Sequence, residues 1–326
     1  MQKWGSEFPG DVMFGKRRMV PADHKPFSGL PVEMIALRNA DIRAAVHISA
    51  PLVAGATPLV CLAGLQRNMS DFSTLLQAIS HSTISRGPVI LIDLPGRGRA
   101  DDRKNEIDYN TIADARDVAD ILAALGVDRA VMLGQGHGGQ VTLALGAEHP
   151  LLLAGVILLD AGPMVDSRGI FRLRNNLAHL AGLKGSRSVM AGFRRMLAGD
   201  YPELPIETLD ALAQRSHFID KKGRAHPLFD ERLLAPLASI NFDDVLEAQW
   251  PLYDALRGVP LMILRTQLTD QLRRETYEEM VRRRPDAKAF TIAGQGSPAL
   301  FDQHEEVDAI LRFVTKAAAG KLSRAA

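Results

Sequence analysis

Hydrophobic and polar positions along the chain recur with two periods, and the changes from one period to the other predict its elements. VEMIAL and RAAVHIS flank RNAD and predict an opening hairpin. PLVCLAG and PVILIDLPG are continuous apolar runs, the pattern of strands buried on both faces of a parallel sheet. Between them, Asp71 to Ile79 predicts a helix that Ser70 or Asp71 can cap. Ile112, Ala115, Val118, Leu122 and Leu125 form one apolar stripe and predict a helix from Thr111 to Leu125. Thr111 with Asp114 resembles a capping box, and Gly126 supplies the stop. A strand before Gly134, a helix to about Gly146 and the strand GVILLD, which ends at Asp160, follow.

Strict alternation of strand and helix predicts an α/β fold, a mostly parallel, doubly wound sheet of about eight strands with helices on both faces. The alternation breaks from 165 to 247, where the pattern is helical, rich in Leu, Ala and Arg, and no strand is predicted. The sheet resumes with VPLMILR, a helix near Arg274 to Arg284, the strand AKAFTIAG and a closing helix from about Glu305 to Lys316. The expected organisation is an arm at 1–26, a core made of 27–164 and 248–318, an inserted helical cap at 165–247, and a frayed tail at 319–326.

Composition narrows this picture. At 326 residues the chain can bury a full core, and its formal net charge of +1 gives no reason to expect nucleic acid or an anionic membrane as partner. Cys61, the single cysteine, excludes an intrachain disulfide or a cysteine metal cluster and is expected as a small buried hydrophobe. No stretch approaches the roughly 20 apolar residues of a membrane span, and the start lacks the apolar core of a secretory signal, so a cytoplasmic location is expected. Lys16, Arg17 and Arg18 are expected to lie on a solvated arm. His24, His47, His81, His149, His179, His217 and His226 share no spacing with Asp or Glu that suggests a metal, and neither metal nor cofactor is expected.

The stretch AVMLGQGHGGQVTLALG, Ala130 to Gly146, raises the chemical question. Gly134, Gly136 and Gly139 spell G-x-G-x-x-G between an apolar run and a helix, with Asp160 at the distance of a ribose-binding acid, as in dinucleotide sites. Such a fingerprint normally opens its domain, whereas at least four strands precede Gly134, so a dinucleotide-binding oxidoreductase remains the lesser alternative. The same letters fit G-x-S-x-G, the nucleophile elbow, with glycine where serine belongs.

Around that elbow the chain resembles the α/β-hydrolase superfamily from about Pro31 to Lys316, and within it the bacterial single-domain hydrolases with a helical cap. LAGLQRNMSDF stands where that group has its oxyanion loop, LIDLPGRGRADD resembles the D-x-x-G-x-G turn, and LDAGPMVD the loop into the cap. VPLMILRTQLTDQL matches the strand and loop of the triad acid, and IAGQGSPALFD the histidine loop.

The resemblance implies roles for particular residues. Gly136 stands at the nucleophile position and Asp270 is the retained acid. Gly294, Gln295, Gly296, Ser297 and Pro298 run through the histidine loop with no histidine, which is either replaced by Ser297 or deleted. Leu65 and His137 supply the backbone N–H groups of the oxyanion hole. Triad residues act as a unit, and losing one costs about 10⁶-fold in turnover. The leading expectation is a pseudo-hydrolase that binds a small apolar or amphipathic ligand, a protein partner or a second copy of itself. The alternative is an unconventional hydrolase of esters or C–C bonds that uses a water held near His137.

Three further features carry bland expectations. His304 is expected at the surface near the last helix start. Arg172, Arg174, Arg194 and Arg195 offer either selection of an anionic ligand or a solvated helix face. Trp250 is expected in packing or as a pocket wall.

Overall fold

A computed structural model describes residues 18–38, 41–84 and 87–320; Lys16, Arg17 and the tail beyond 320 lie outside the described residues. In chain order the strands and α-helices are β1 (Glu33–Ala36), β2 (Arg43–Ile48), β3 (Leu59–Leu62), α1 (Ser73–His81), β4 (Val89–Asp93), α2 (Thr111–Ala124), β5 (Ala130–Gln135), α3 (His137–Glu148) and β6 (Leu153–Leu159). Then follow α4 (Ser167–Gly182), α5 (Ser186–Ala198), α6 (Ile206–Gln214), β7 (His217–Ile219), β8 (Ala225–Pro227), α7 (Trp250–Asp254), β9 (Leu261–Thr266), α8 (Arg274–Arg283), β10 (Lys288–Ile292) and α9 (His304–Ala319).

Among the described residues the main sheet has eight strands in the order β1-β2-β4-β3-β5-β6-β9-β10. β1 and β2 are antiparallel, as the opening hairpin predicts, and the strands from β4 to β10 in that order run parallel. The apolar runs are continuous because both faces are covered. Val60, Leu62, Ile90, Ile92 and Met132 pack into one cluster, while their neighbours Cys61, Leu91, Val131 and Leu133 pack into another. None of the described helices is long and apolar enough to cross a membrane.

Five expectations need correction. The segment 165–247 is not purely helical: β7 and β8 form a hairpin there. Three-residue strands leave no periodicity to detect, and the turn is held by Asp220, whose Oδ1 accepts from Lys222 N at 2.8 Å and Arg224 N at 2.9 Å. The helix expected from Asp71 begins as a 3₁₀ turn, Met69–Phe72, capped by Asn68, and becomes α-helical at Ser73. Asp114 is no capping-box partner of Thr111: Asn110 caps α2 by accepting from Ala113 N at 2.9 Å, and Asp114 turns into the protein. The closing helix reaches Ala319, into the expected tail. Arg18 is not solvated, because its side chain is 9% exposed, donates to the carbonyls of Leu228 and Ala100, and pairs with Asp102 at 3.2 Å.

Candidate functional site

The chain runs from β3 out to β4 and returns to β5 on the other side of β3, so a crevice opens at the carboxyl ends of β3 and β5. Open α/β sheets bind ligands at such a switch point. Gly136 sits there, alone between β5 and α3, at φ 51° and ψ −116°. Its N–H donates to Leu159 O at 2.9 Å and its carbonyl accepts from Gly139 N at 3.0 Å, which closes a sharp turn. A residue with a Cβ pays of order 1–3 kcal/mol in such torsions, and glycine largely escapes it. Gly139 has a different reason: a Cβ there would lie 2.2 Å from that of Ala161, so α3 presses on the sheet as closely as only glycine permits. The G-x-G-x-x-G spelling is thus accounted for by torsion and packing.

A Cβ built on Gly136 would lie 2.3 Å from Gln271 Oε1 and 3.9 Å from the Cα of Gly64, the residue before Leu65. The carboxamide of Gln271 therefore occupies the space where a side chain at 136 would begin. Sequence reasoning passed over Gln271, although it directly follows Asp270. The N–H groups of Leu65 and His137 find no acceptor among the described residues.

His137 opens α3. Its Nε2–H donates to Asp114 Oδ2 at 2.9 Å. Asp114 also accepts from Arg97 Nη2 at 2.9 Å and Arg103 Nη2 at 2.8 Å. Arg97 Nε in turn donates to Leu65 O at 2.8 Å, so one buried carboxylate ties α2, α3 and the loops after β3 and β4. Burial opposes the charge of Asp114, but Arg97, His137 and Arg103 outweigh it and hold its carboxyl far below the usual range. Burial likewise lowers the pKa of His137, with Asp114 opposing, and the imidazole is neutral near pH 7.

Asp270 follows β9 and is paired with the inserted segment. Arg172 of α4 donates from Nε to Asp270 Oδ2 at 2.5 Å and from Nη2 to Asp200 Oδ1 at 3.1 Å. Burial pushes Asp200 up to about 6 against the pull of Arg172. Asp200 O accepts from Gly296 N at 2.6 Å, and the Tyr201 hydroxyl donates to Pro298 O. The inserted segment is thereby fastened to both loops expected to carry the acid and the histidine. Arg172 is the one member of its group that does this. Arg174 donates to the carbonyls of Leu237, Ala238 and Ile240, Arg194 pairs with Asp210 at 2.6 Å, and Arg195 is exposed. Arg195 fits the solvated face, whereas Arg172, Arg174 and Arg194 are held by partners within the protein.

Ser297 Oγ accepts from Gln135 Nε2 at 3.1 Å, beside the elbow, and the Ser297 hydroxyl donates to Asp160. Asp160 is 1% exposed and accepts from Thr266 N at 2.7 Å and Thr266 Oγ1 at 2.8 Å. So enclosed, it cannot reach a ribose, which removes the feature that favoured a dinucleotide. Burial pushes its pKa up to about 6. A folded pKa above the unfolded value near 3.9 favours folding fully below about pH 4, and this contribution is lost as pH rises through about 6. Unfolding free energy measured in urea from pH 4 to 6.5 should therefore fall less steeply in Asp160→Asn than in the wild type. Equal slopes would show that the carboxyl titrates normally.

The remaining candidates lie elsewhere. His304 is exposed at the first turn of α9, and Trp250 packs between Tyr253 and the Arg283 guanidinium, 3.9 Å from its ring centroid. Cys61 is buried in β3, and burial pushes its thiol up.

Comparison with known proteins agrees with this fold. A model of the alpha/beta hydrolase fold family matches residues 57–232. The chain belongs to the α/β hydrolases. Among curated relatives of this α/β hydrolase, a 3-hydroxybutyrate-oligomer hydrolase of Cupriavidus necator is 23% identical over 79% of this chain and 88% of its own. A 2-(acetamidomethylene)succinate hydrolase of Mesorhizobium japonicum is 24% identical over 71% of this chain and 78% of its own. Among solved structures, an alpha/beta hydrolase from Novosphingobium aromaticivorans superposes with TM-score 0.75 at 25% identity, covering 88% of this chain and 98% of that one.

Proposed function

We propose that this α/β hydrolase no longer hydrolyses through a serine and instead holds a small amphipathic ligand without covalent chemistry. One observation carries the reading: at the elbow, position 136 is glycine in the tight-turn conformation, and the neutral carboxamide of Gln271 fills the adjoining space. A carboxamide is no nucleophile towards an acyl group, and the loop 294–298 has no histidine to activate one. The free N–H groups of Leu65 and His137 act as an oxyanion-hole-like pair that holds a carbonyl or carboxylate oxygen. The segment 165–247 serves as a cap over the apolar part of the ligand. The two relatives named for hydroxybutyrate oligomers and for a succinate derivative favour a small carboxylate or ester as that ligand.

A second reading keeps hydrolysis. Asp114 orients His137 as a carboxylate orients a general base, and a neutral imidazole suits that task. One experiment decides between them. The wild type should neither turn over p-nitrophenyl butyrate nor be labelled by a fluorophosphonate probe. Turnover that disappears in His137→Ala would establish the second reading, and labelling of any serine would overturn the first.

A further inference from the structure

The start and the end of the inserted segment meet the first turn of α8 around a cavity of about 300 Å³. Val165, Phe242 and Val245 line it and are exposed, Val245 by 93%. Single exposed apolar side chains are ordinary, but several around one cavity mark a contact surface. Phe242 is held in place: its carbonyl accepts from Ser167 Oγ at 2.9 Å, and its ring stands edge-on to Phe171 with centroids 5.7 Å apart. The surface is therefore formed before any partner arrives.

The same cavity carries both signs of charge. Arg168 and Arg273 are exposed in its wall and share the carboxylate of Asp166, donating from Nη2 at 2.9 Å and from Nε at 2.6 Å. Two guanidiniums on one carboxylate leave a net positive charge. Asp243 and Asp244 are also exposed in the wall, and among the described residues neither pairs with a cation; Asp244 Oδ2 accepts from Asn241 N at 2.7 Å. A partner of one sign would leave either the acids or the guanidiniums unmatched. A second copy of the chain, turned about a two-fold axis, matches both. We infer that this face is a two-fold interface between two copies of the chain. Val165, Phe242 and Val245 of each pack at its centre, and Asp243 and Asp244 of each meet Arg168 and Arg273 of the other. Self-complementarity of one patch is what such an interface requires.

Sedimentation velocity of the full-length chain over a dilution series tests this. The wild type should be a dimer that dissociates in about the micromolar range and loosens as salt rises. Val245→Asp should weaken association by about tenfold or more, because it sets a charge in the apolar centre, and should leave the melting temperature of the monomer unchanged. Two further variants test the orientation. Asp243→Lys and Arg168→Glu should each self-associate about tenfold more weakly than the wild type, since each sets like charges against one another. An equimolar mixture of the two should regain dimers, because the new lysine of one chain faces the new glutamate of the other. A folding fault in either variant would not be repaired by mixing. The inference is overturned by a wild type that stays monomeric at about 100 μM, well above a micromolar Kd. It is equally overturned by a dimer that Val245→Asp leaves intact, or by a mixture that associates no more tightly than its components.

Discussion

Asp114→Ala should lower the unfolding free energy by about 3–5 kcal/mol, the usual result of removing one partner from a buried ion pair. Asp114 is completely buried, and its two oxygens receive Arg97, Arg103 and His137. Arg103 retains Asp117 at 2.6 Å, but Arg97, 3% exposed, would keep only the carbonyls of Leu65 and Pro95. An uncompensated guanidinium in that position is the main cost. Asp114→Asn preserves the shape and removes the charge, so it should fall between the wild type and the alanine variant. As a control, Arg38→Ala removes the pair with Asp120 from a side chain that is 89% exposed and should change little, since surface pairs contribute about 0–1 kcal/mol. The pH dependence has a definite sign. The folded pKa of Asp114 is depressed, so its contribution is present above the unfolded value near 3.9 and is lost as pH falls through the acid range. Urea unfolding at pH 7 and pH 3 should show the wild type and Asp114→Ala converging at the lower pH. A difference below about 1 kcal/mol at pH 7 would mean that water replaces the carboxylate.

The same residue shows where the sequence was legible and where it was not. The alternation of apolar strands and amphipathic helices predicts the sheet and the helix Thr111–Ala124 within a residue, because burial on two faces leaves a continuous apolar run and burial on one leaves a stripe. Asp114 lies within the first turn of that helix, where a carboxylate suits both a capping box and a buried pair. Its partners Arg97 and Arg103 lie in an irregular loop, and periodicity carries no information about which loop side chains turn inward.

The site divides in the same way. The glycine at 136 stands out from the elbow motif, since the motif prescribes a residue type at that position. Gln271 is invisible by the same means: its relation to Gly136 is steric complementarity across 135 positions, and nothing local marks it. The pairing of Arg172 with Asp270 spans 98 positions, and both residues read as ordinary charged side chains in isolation. The hairpin formed by β7 and β8 escapes notice because strands of three residues are shorter than one full alternation.

Those long-range contacts change the outcome expected for an attempt to rebuild hydrolysis. Gly136→Ser together with Ser297→His restores a hydroxyl and an imidazole, and it should bring fluorophosphonate labelling at position 136. Full turnover should not follow, for two reasons visible at the site. A Cβ at 136 meets Gln271 Oε1 at 2.3 Å, so the new side chain must push the carboxamide aside, which a flexible terminus allows at small cost. The charge of Asp270 is a larger obstacle, because Arg172 already takes one of its oxygens at 2.5 Å. A carboxylate so neutralised stabilises an imidazolium less, and a neighbouring charge shifts such equilibria by about 1–3 pKa units, or about 10- to 1,000-fold. Adding Arg172→Ala to the pair of substitutions should therefore raise kcat for p-nitrophenyl butyrate by about that factor, in line with the large effect of the orienting acid in serine triads. Arg172→Ala in the wild-type background should raise nothing on the reading proposed above, since position 136 is glycine and carries no hydroxyl. If the doubly substituted protein is labelled and Arg172→Ala leaves its rate unchanged, Asp270 has no part in the rebuilt chemistry. If no serine is labelled, the turn at 136 does not present its side chain as a nucleophile elbow does.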